Sequence, residues 1–451
     1  MVPLLTRGKA GSYMRFLPKH RFLFNKAHLS VLSDVFWVGF GQAVGLGLGL
    51  ISSLVLLARA LGPTEFGQFS VAFGIMTLVA GLMDLGLKEA LVRFAAPYIR
   101  SDPQKAKVIF EVGLALKLSL GMLGVIVGLF VAPLLSHEYF HDSSLDSLLP
   151  VAFLGSFGYT AVNYTYSVFQ ASGKFLIYGL YLCISAAIRL LILWILWQNQ
   201  LLNPISAVAT YGFVGLISFL AGFVFFPGRF EWGWNSKKSM IARNMLGFGK
   251  WITVGAIAFS FVEQLPVLVL AREVSVENTA LFSVGLRFAL AFSVVLMSLS
   301  TTLAPKITQM TTQAELRDYS KRVIQYVWPL GILIFPALMV LAPFLVEITS
   351  GPEYLAAVPV FRILCIVYVT QLMLTPLNAI ATFAIKRPVV PAVVNIAQAI
   401  TCWIILPIFA KTYGLLGVTS GYTLIRVGGS LVVLFYVAVH VLRRETRVEV
   451  V

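Results

Sequence analysis

The chain has 451 residues, of which 59% are hydrophobic and only 12% are charged, and its formal net charge is +15. A soluble domain carries roughly a quarter charged residues, so this composition excludes a large soluble core. Apolar runs of about twenty residues recur along the chain, and each is long enough to cross a membrane as a helix. We therefore predict an all-α polytopic membrane protein. The three cysteines lie inside apolar runs and form no disulfide or zinc pattern.

About twelve membrane-spanning helices are predicted, with short polar connections between them. A basic arm at 1–32 comes first, and the spans divide into an N-lobe at 33–227 and a C-lobe at 249–442. A basic linker at 228–248 joins the lobes, and a tail at 443–451 follows them. The approximate spans are 33–58, 66–87, 108–135, 148–172, 175–197, 205–227, 249–271, 279–304, 323–349, 357–384, 389–410 and 415–441.

The distribution of Lys and Arg predicts the orientation of these spans. With the N-terminus in the cytoplasm, the arm, the linker, the even-numbered loops and the tail hold most of the 34 basic residues. Only Arg59, Arg272 and Lys411 fall in outer loops, which agrees with the usual excess of basic residues on the cytoplasmic side. Both termini are therefore predicted to be cytoplasmic. The positive charge follows from this topology, so no nucleic-acid partner is expected.

The two lobes share short sequence matches in the same order and at nearly one offset, which predicts a duplicated six-helix unit. Six is an even number, so the two units have the same orientation and are related by an axis along the membrane normal. Two such lobes can enclose a central cavity, as in transporters. The matches are Leu57-Ala58-Arg59 with Leu270-Ala271-Arg272, Phe69-Ser70-Val71 with Phe282-Ser283-Val284, Gly39-Phe40-Gly41 with Gly247-Phe248-Gly249, and Ala96-Pro97 with Ala304-Pro305.

Small residues in span 1 predict a close helix contact. Gly41, Gly45 and Gly49 repeat every four residues and therefore lie along one face of a helix. Such a seam lets a neighbouring membrane helix approach closely.

Charged residues inside the spans predict a cavity with net positive charge. An ion at the bilayer centre costs roughly 2.5–3.5 kcal/mol on insertion scales, so these residues should face a hydrated or paired interior. Each can be a structural ion pair or a snorkelling side chain, but Glu263 is the one acid counted against five cations. We take Lys117, Arg189, Arg287 and Arg426 as candidate anion-binding residues, with Arg287 as the first choice. Arg362 is close enough to a predicted span end to snorkel, and Glu263 is the candidate coupling residue.

Polar side chains form matching stripes on spans 4 and 10. Hydroxyl and amide groups beside aromatic rings suit sugars, so two facing walls of one glycan-binding cavity are predicted. Hydrogen bonding between helices is the alternative reading. The stripes are Tyr159, Asn163, Tyr166 and Gln170 in span 4, and Gln371, Thr375, Asn378 and Thr382 in span 10, with the same helical spacing.

One metal-site motif occurs in an outer loop. His137-Glu138-Tyr139-Phe140-His141 matches H-E-x-x-H, in which two histidines bind zinc and the glutamate activates water. The loop is short and has no supporting domain, so we expect no metal site and keep a membrane metalloprotease only as a weak alternative. The sequence has no Walker loop, dinucleotide fingerprint or nucleophile elbow. No enzyme activity and no cofactor are therefore expected.

The first helical hairpin carries a recognisable motif: Ala58-Arg59-Ala60-Leu61-Gly62-Pro63, then Phe66-Gly67, Leu85-Gly86-Leu87 and Arg93. It resembles the polysaccharide-exporter branch of the multidrug/oligosaccharidyl-lipid/polysaccharide flippase superfamily, the O-antigen flippase type. The motif covers about the first hundred residues, and the predicted length, spans and lobes extend the resemblance to the whole chain. The second hairpin departs from the pattern, since it reads Arg272-Glu273-Val274-Ser275 without Gly-Pro.

The resemblance implies a transporter that flips an undecaprenyl-pyrophosphate-linked oligosaccharide from the cytoplasmic to the outer face of a bacterial inner membrane. It also implies two lobes in a V around a cationic lumen, with membrane lipids and the lipid-linked glycan as partners, alongside glycan polymerase or ligase proteins. A drug/cation antiporter of the same superfamily is the main alternative, and it would favour acidic residues in the cavity. A membrane glycan polymerase or ligase is a further alternative, although such enzymes usually carry a large outer loop.

Overall fold

The computed structural model describes residues 26–226, 231, 233–247, 250–291, 313–379 and 389–442. In this part of the chain every regular element is a helix. Eight helical stretches of the described residues are long and apolar enough to cross a membrane. The prediction of an all-α polytopic membrane protein is therefore confirmed.

The N-terminal half contains nine α-helices within the described residues. A π-helical segment at Ile51–Leu57 continues α1, and a second one at Leu135–Phe140 continues α5. The helices are α1 (Lys26–Leu50), α2 (Ala58–Asp84), α3 (Leu87–Ala95), α4 (Tyr98–Ser101), α5 (Pro103–Leu134), α6 (Leu148–Ala171), α7 (Phe175–Gln198), α8 (Pro204–Gly222) and α9 (Ser236–Gly247), the last in the predicted linker.

The C-terminal half contains five further α-helices within the described residues. They are α10 (Lys250–Glu273), α11 (Val276–Leu290), α12 (Gln313–Ser350), α13 (Val358–Ala379) and α14 (Val389–Leu442). A short 3-10 helix at Pro352–Ala357 precedes α13.

Among the described residues, the structure has fewer apolar helical stretches than predicted spans, because each of the two longest stretches contains a break at a glycine. The stretch Phe36–Asp84 has 49 residues and Val389–Val439 has 51. A crossing needs only about 20 residues, so each stretch has the length of two crossings.

The breaks in these stretches are at two glycines. Gly62 has φ 71° before Pro63, and Gly414 has φ 58° within α14. These positive φ values turn the chain at the positions where the sequence predicts loops. The count of twelve stays a prediction.

Helix pairing follows the same order in both halves. In the N-terminal half α1 packs on α7, α2 on α6, and α6 on both α5 and α8. In the C-terminal half α10 packs on α14, α11 on α13, and α13 on both α12 and α14. This parallel order supports the predicted repeat.

The seam of small residues in span 1 is the contact surface between α1 and α7. A Cβ on Gly41 would collide with the backbone of Gly179, so only glycines allow this approach. A Cβ on Gly45 would meet Leu182 at 3.7 Å. The close contact that we predicted from the glycine spacing therefore falls on α7.

The two halves meet along α2, which packs on α10 and α11. One end of this interface holds several polar contacts, and we call it the Arg59 end. There an Arg59 guanidinium nitrogen donates to the carbonyl oxygen of Ile348 at 2.6 Å, and the Tyr354 hydroxyl donates to the carbonyl of Ala58 at 2.9 Å. The Thr64 hydroxyl donates to the Glu277 carboxylate at 3.0 Å. These contacts fasten the two halves together at the Arg59 end.

Candidate functional site

A polar cavity of about 180 Å³ lies within the N-terminal half, between α1, α6, α7 and α8. Tyr159, Asn163 and Tyr166 line it from α6, because residues three, four and seven positions apart share one face of a helix. Arg189 lines it from α7. The structure thus brings three of the predicted stripe residues and one predicted cation to the same cavity.

Arg189 lies among aromatic and small residues. Its guanidinium carbon is 4.7 Å from the ring centre of Tyr211, and a Cβ on Gly49 would be 3.5 Å from its Nη2. Its Nε has no hydrogen-bond partner, and no described acidic residue forms an ion pair with it. Part of its hydrogen-bonding capacity is therefore available to an anion.

Arg287 reaches from α11 in the C-terminal half onto α2 in the N-terminal half. Its guanidinium carbon lies 4.9, 5.4 and 5.7 Å from the ring centres of Phe66, Phe69 and Phe73. Its Nη1 has no hydrogen-bond partner within the described part of the chain. Such contacts with the faces of buried rings hold a desolvated guanidinium without neutralising it.

Arg189 and Arg287 share one aromatic cluster, although they belong to different halves. The ring centre of Tyr211 is 4.8 Å from that of Phe73 and 5.7 Å from that of Phe69. Each guanidinium therefore lies against a ring of this cluster, Arg189 against Tyr211 and Arg287 against Phe73. Two cations held near each other without carboxylates among the described residues form an environment that favours an anion between the halves.

Lys117 has a carboxylate partner, unlike these two arginines. Its Nζ forms an ion pair with Asp84 at the end of α2, and the Lys117 side chain is only 2% exposed. The prediction that Glu263 is the one acid inside the spans is therefore wrong, because Asp84 also lies there. A lysine neutralised in this way does not add net charge to a cavity.

Arg426 is neutralised in the C-terminal half by the predicted coupling residue. One Arg426 nitrogen lies 3.1 Å from the Glu263 carboxylate, and the Tyr422 hydroxyl donates to the same oxygen at 3.2 Å. The guanidinium also lies 5.1 Å from the ring centre of Phe259. The four predicted anion-binding cations thus divide into two paired residues and two without a carboxylate.

The rest of the predicted stripes is only partly described. Gln170 is exposed at the end of α6 and does not line the polar cavity, and Gln371 on α13 is half-buried away from it. The side chains of Thr375 and Asn378, and all of Thr382, lie outside the described residues. The described lining of this cavity comes from the N-terminal half alone, so the facing wall on span 10 stays a prediction.

The H-E-x-x-H segment forms local contacts. The His137 Nε2 lies 3.4 Å from the Asp146 carboxylate, and the His141 Nδ1 interacts with the His137 carbonyl at 2.8 Å. Within the described residues no group of three or more His, Cys, Asp or Glu side chains could hold a metal ion. A helical zinc motif needs both histidines to face one ion, and here their partners differ.

Sequence reasoning missed several residues of the site. Ser185, Tyr211 and Ser218 also line the polar cavity, and the Ser185 and Ser218 hydroxyls are 2.9 Å apart. Tyr211 and Ser218 are seven residues apart on α8, so the helical spacing that found the stripe on α6 could have found them. No local pattern pointed to the pairing of Asp84 with Lys117.

The fold is that of a multi-pass helical membrane transporter. Superposition on the lipid II flippase MurJ in an inward closed conformation gives a TM-score of 0.71 at 13% identity, covering 90% of this chain and 87% of that chain. An inward-facing multidrug resistance MATE family transporter of the MOP superfamily gives 0.69 at 16% identity, covering 92% and 98%. At these identities the likeness shows the fold alone.

The chain belongs to the family of polysaccharide biosynthesis proteins, whose model matches residues 56–359, more than half of the sequence. It is also 20% identical over 412 residues to a putative O-antigen transporter of Shigella flexneri, covering 88% of this chain and 95% of the relative. The resemblance to the polysaccharide branch of the flippase superfamily is therefore confirmed.

Proposed function

We propose that this protein flips a lipid-linked oligosaccharide, carried on undecaprenyl pyrophosphate, from the cytoplasmic to the outer face of a bacterial inner membrane. The observation that carries the proposal is the convergence of Arg189 and Arg287 on one aromatic cluster between the halves, with no described carboxylate partner for either. Membership in a polysaccharide biosynthesis family and similarity to a putative O-antigen transporter support it.

The chemistry of the substrate fits the groups around the polar cavity. A pyrophosphate diester carries negative charge, and arginine binds phosphate oxygens with paired hydrogen bonds. Sugar rings have apolar faces and many hydroxyls, so Tyr159 and Tyr166 would stack on them while Asn163 bonds the hydroxyls. Gln371, Thr375 and Asn378 would contact the glycan from the other lobe. Gln170 is exposed at the end of α6 and would contact the glycan only outside the cavity.

Alternating access would come from the two halves moving against each other about the α2 interface. Arg287 joins α11 to α2, so any motion between the halves changes its surroundings. Glu263 is the proposed coupling residue, because protonation would release Arg426 from the ion pair. Both termini would be cytoplasmic, and glycan polymerase or ligase proteins would use the product.

A drug/cation antiporter is the second candidate, and the fold shared with the MATE transporter favours it. An organic cation would require acidic groups in the cavity. The described lining of the polar cavity contains Arg189 and no acid, and Glu263 is already neutralised by Arg426. The charge of the cavity therefore favours the anionic substrate.

Complementation of a flippase-deficient strain tests the proposal. Arg287→Ala and Arg189→Ala should lower export by about tenfold to hundredfold for every glycan, because charged hydrogen bonds contribute roughly 1.5–3 kcal/mol and all substrates share the pyrophosphate. Tyr166→Ala should impair only some glycans. Arg362→Ala is the matched control, since Arg362 is exposed and donates to the Met339 carbonyl at 3.0 Å. Wild-type export by both the Arg189 and the Arg287 variants at normal protein levels would overturn the proposal.

A further inference from the structure

A larger cavity adjoins the polar one on the outer surface of the bundle. Its volume is about 640 Å³, within the usual range for small-molecule sites. It forms a groove between α1, its π-helical continuation and α7, and its walls are almost entirely apolar. Leu48, Ile51 and Val55 line one side, and Leu191, Trp194 and Trp197 line the other. We call it the apolar groove.

The apolar groove and the polar cavity share their dividing helices. On α1, Gly45 lines the cavity and Leu48 lines the groove, and on α7, Arg189 lines the cavity and Leu190 lines the groove. Arg189 reaches α1 at Gly49, the residue next to Leu48. A charged guanidinium therefore lies beside the inner edge of a surface that is otherwise apolar.

The helix wall of the groove is irregular. Ile51–Leu57 is π-helical, a conformation that occurs mostly as single turns and often at functional sites. Within it the Ser52 hydroxyl donates to the Leu48 carbonyl at 2.8 Å. This hydrogen bond satisfies a backbone oxygen at the irregular turn, where no water is available in a membrane. The wide turn presents Ile51, Val55 and Leu56 to the groove.

The far end of the groove reaches the contact between the two halves. Arg59 lines the groove there, and its guanidinium donates to the Ile348 carbonyl of the C-terminal half. From Leu48 to Ala60 the groove follows about 18 Å of helix. An occupant of the groove therefore touches a residue that holds the Arg59 end together.

We infer that the apolar groove binds the polyprenyl chain of the lipid-linked substrate while the pyrophosphate meets Arg189. The inference rests on the proposed function and adds the subsite for the lipid. An ordinary phospholipid keeps its phosphate at the membrane surface, whereas Arg189 lies about 14 Å along α7 from the helix end at Gln198. Only a lipid whose phosphate enters the bundle can use both the cation and the groove.

Photo-crosslinking with labelled undecaprenyl pyrophosphate tests the groove. A benzophenone amino acid replaces Leu191 in the groove, and in the control it replaces Ile184, two turns away on the same face of α7. The two positions are matched, because Leu191 is 53% exposed and Ile184 is 54% exposed. In phosphatidylethanolamine and phosphatidylglycerol vesicles we expect about tenfold more label at position 191, the effect of roughly two buried methylene groups. Val55 is the second groove position if the Leu191 variant is poorly produced.

A competition experiment distinguishes binding of the polyprenyl lipid from binding of bulk lipid. Unlabelled undecaprenyl pyrophosphate should remove the label at position 191, and excess phosphatidylglycerol should not. Arg189→Ala should reduce this label, because the phosphate loses its cation. Equal labelling at both positions, or equal displacement by phosphatidylglycerol, would overturn the groove site and leave an ordinary lipid-facing surface.

The complementation assay with the unmodified protein distinguishes failure of the groove from failure of the proposed function. Normal glycan export together with equal labelling at positions 191 and 184 would overturn the groove alone. Selective labelling at position 191 in a protein that exports no lipid-linked glycan would support the groove and overturn the flippase.

Discussion

At the scale of single residues, the cations inside the bundle fall into two groups with different surroundings. Lys117 and Arg426 face carboxylates, whereas Arg189 and Arg287 face aromatic rings. An ion pair within a low-dielectric interior compensates its own charge, but a guanidinium over a ring keeps its charge. The two groups should therefore respond differently to mutation.

Lys117→Met should lower stability, because Asp84 would be left inside the bundle without a partner. Removing one member of a buried ion pair typically costs about 3–5 kcal/mol, whereas replacing both is often neutral. The double variant Lys117→Met/Asp84→Asn should therefore recover most of the melting temperature in detergent. Thermal unfolding of the single and double variants measures this. Equal loss in both would mean that the pairing contributes little.

Glu138→Gln in the H-E-x-x-H loop should leave export unchanged, and the purified protein should contain no stoichiometric zinc. His137 already lies 3.4 Å from Asp146, and no described cluster has the three ligands that a metal site needs. Metal analysis together with complementation checks this. Bound zinc with loss of export would instead support the metalloprotease reading.

At the scale of helices, the Arg59 end depends on contacts between helix termini rather than on helix faces. Arg59 follows the π-helical segment, Glu277 lies in the first turn of α11, and Ile348 lies in the last turn of α12. Such contacts form only when the helices stop at the right positions. They can also break without unfolding a helix, as alternating access requires.

Acidification should weaken the Thr64–Glu277 contact. The Glu277 backbone amide, and then the hydroxyls of Ser275 and Thr64, hold the pKa of this carboxyl below its ordinary value. A group with a lowered pKa stabilises the folded state above its ordinary pKa, and this contribution is lost as the pH falls through the lowered value. Thermal unfolding from about pH 7 to about pH 3 should show a smaller acid-dependent loss for Glu277→Gln than for wild type.

The control for this experiment is Glu353→Gln, because Glu353 is an exposed acid at the same end of the molecule. Its acid dependence should match that of wild type. If Glu277→Gln also matched wild type, the carboxylate would have no role in joining the halves.

At the scale of the whole molecule, the two halves show signs of the predicted duplication. Phe69 and its sequence match Phe282 are both fully buried, and Ser70 and Ser283 are both 4% exposed. The hydrogen bond between Thr64 and Glu277 joins residues 213 apart, the offset of these matches. Equivalent residues touch each other only where they lie near a two-fold axis. These observations support the repeat, which stays a prediction.

Cysteines placed at Ser144 and Ser239 should be labelled from opposite sides of sealed cells by a membrane-impermeant maleimide. The reason is the excess of basic residues around Ser239, which predicts a cytoplasmic position for α9. Both serines are exposed, while Cys365 and Cys402 are buried, so a variant lacking Cys183 has little background. Labelling of both positions from one side would contradict the predicted topology.

The sequence by itself determined the helical membrane class, the presence of long apolar helices and the face of α6 that carries Tyr159, Asn163 and Tyr166. These properties are local, because apolar length and helical spacing depend only on neighbouring residues. The family motif around Gly62-Pro63 is also local, and it predicts the flippase branch without knowledge of any tertiary contact.

Only the tertiary structure decided which charges are neutralised and which remain. Asp84 meets Lys117, and Glu263 meets Arg426, on helices far apart in the chain. Arg287 lies against rings of the opposite half, so its partners depend on how the two halves pack. Composition gives the number of charged residues but not their ion-pair partners, because those partners depend on how each helix is rotated and how deep it lies in the membrane. The apolar groove beside Arg189 also depends on the tertiary structure, because its two walls come from α1 and α7, which are far apart in the sequence.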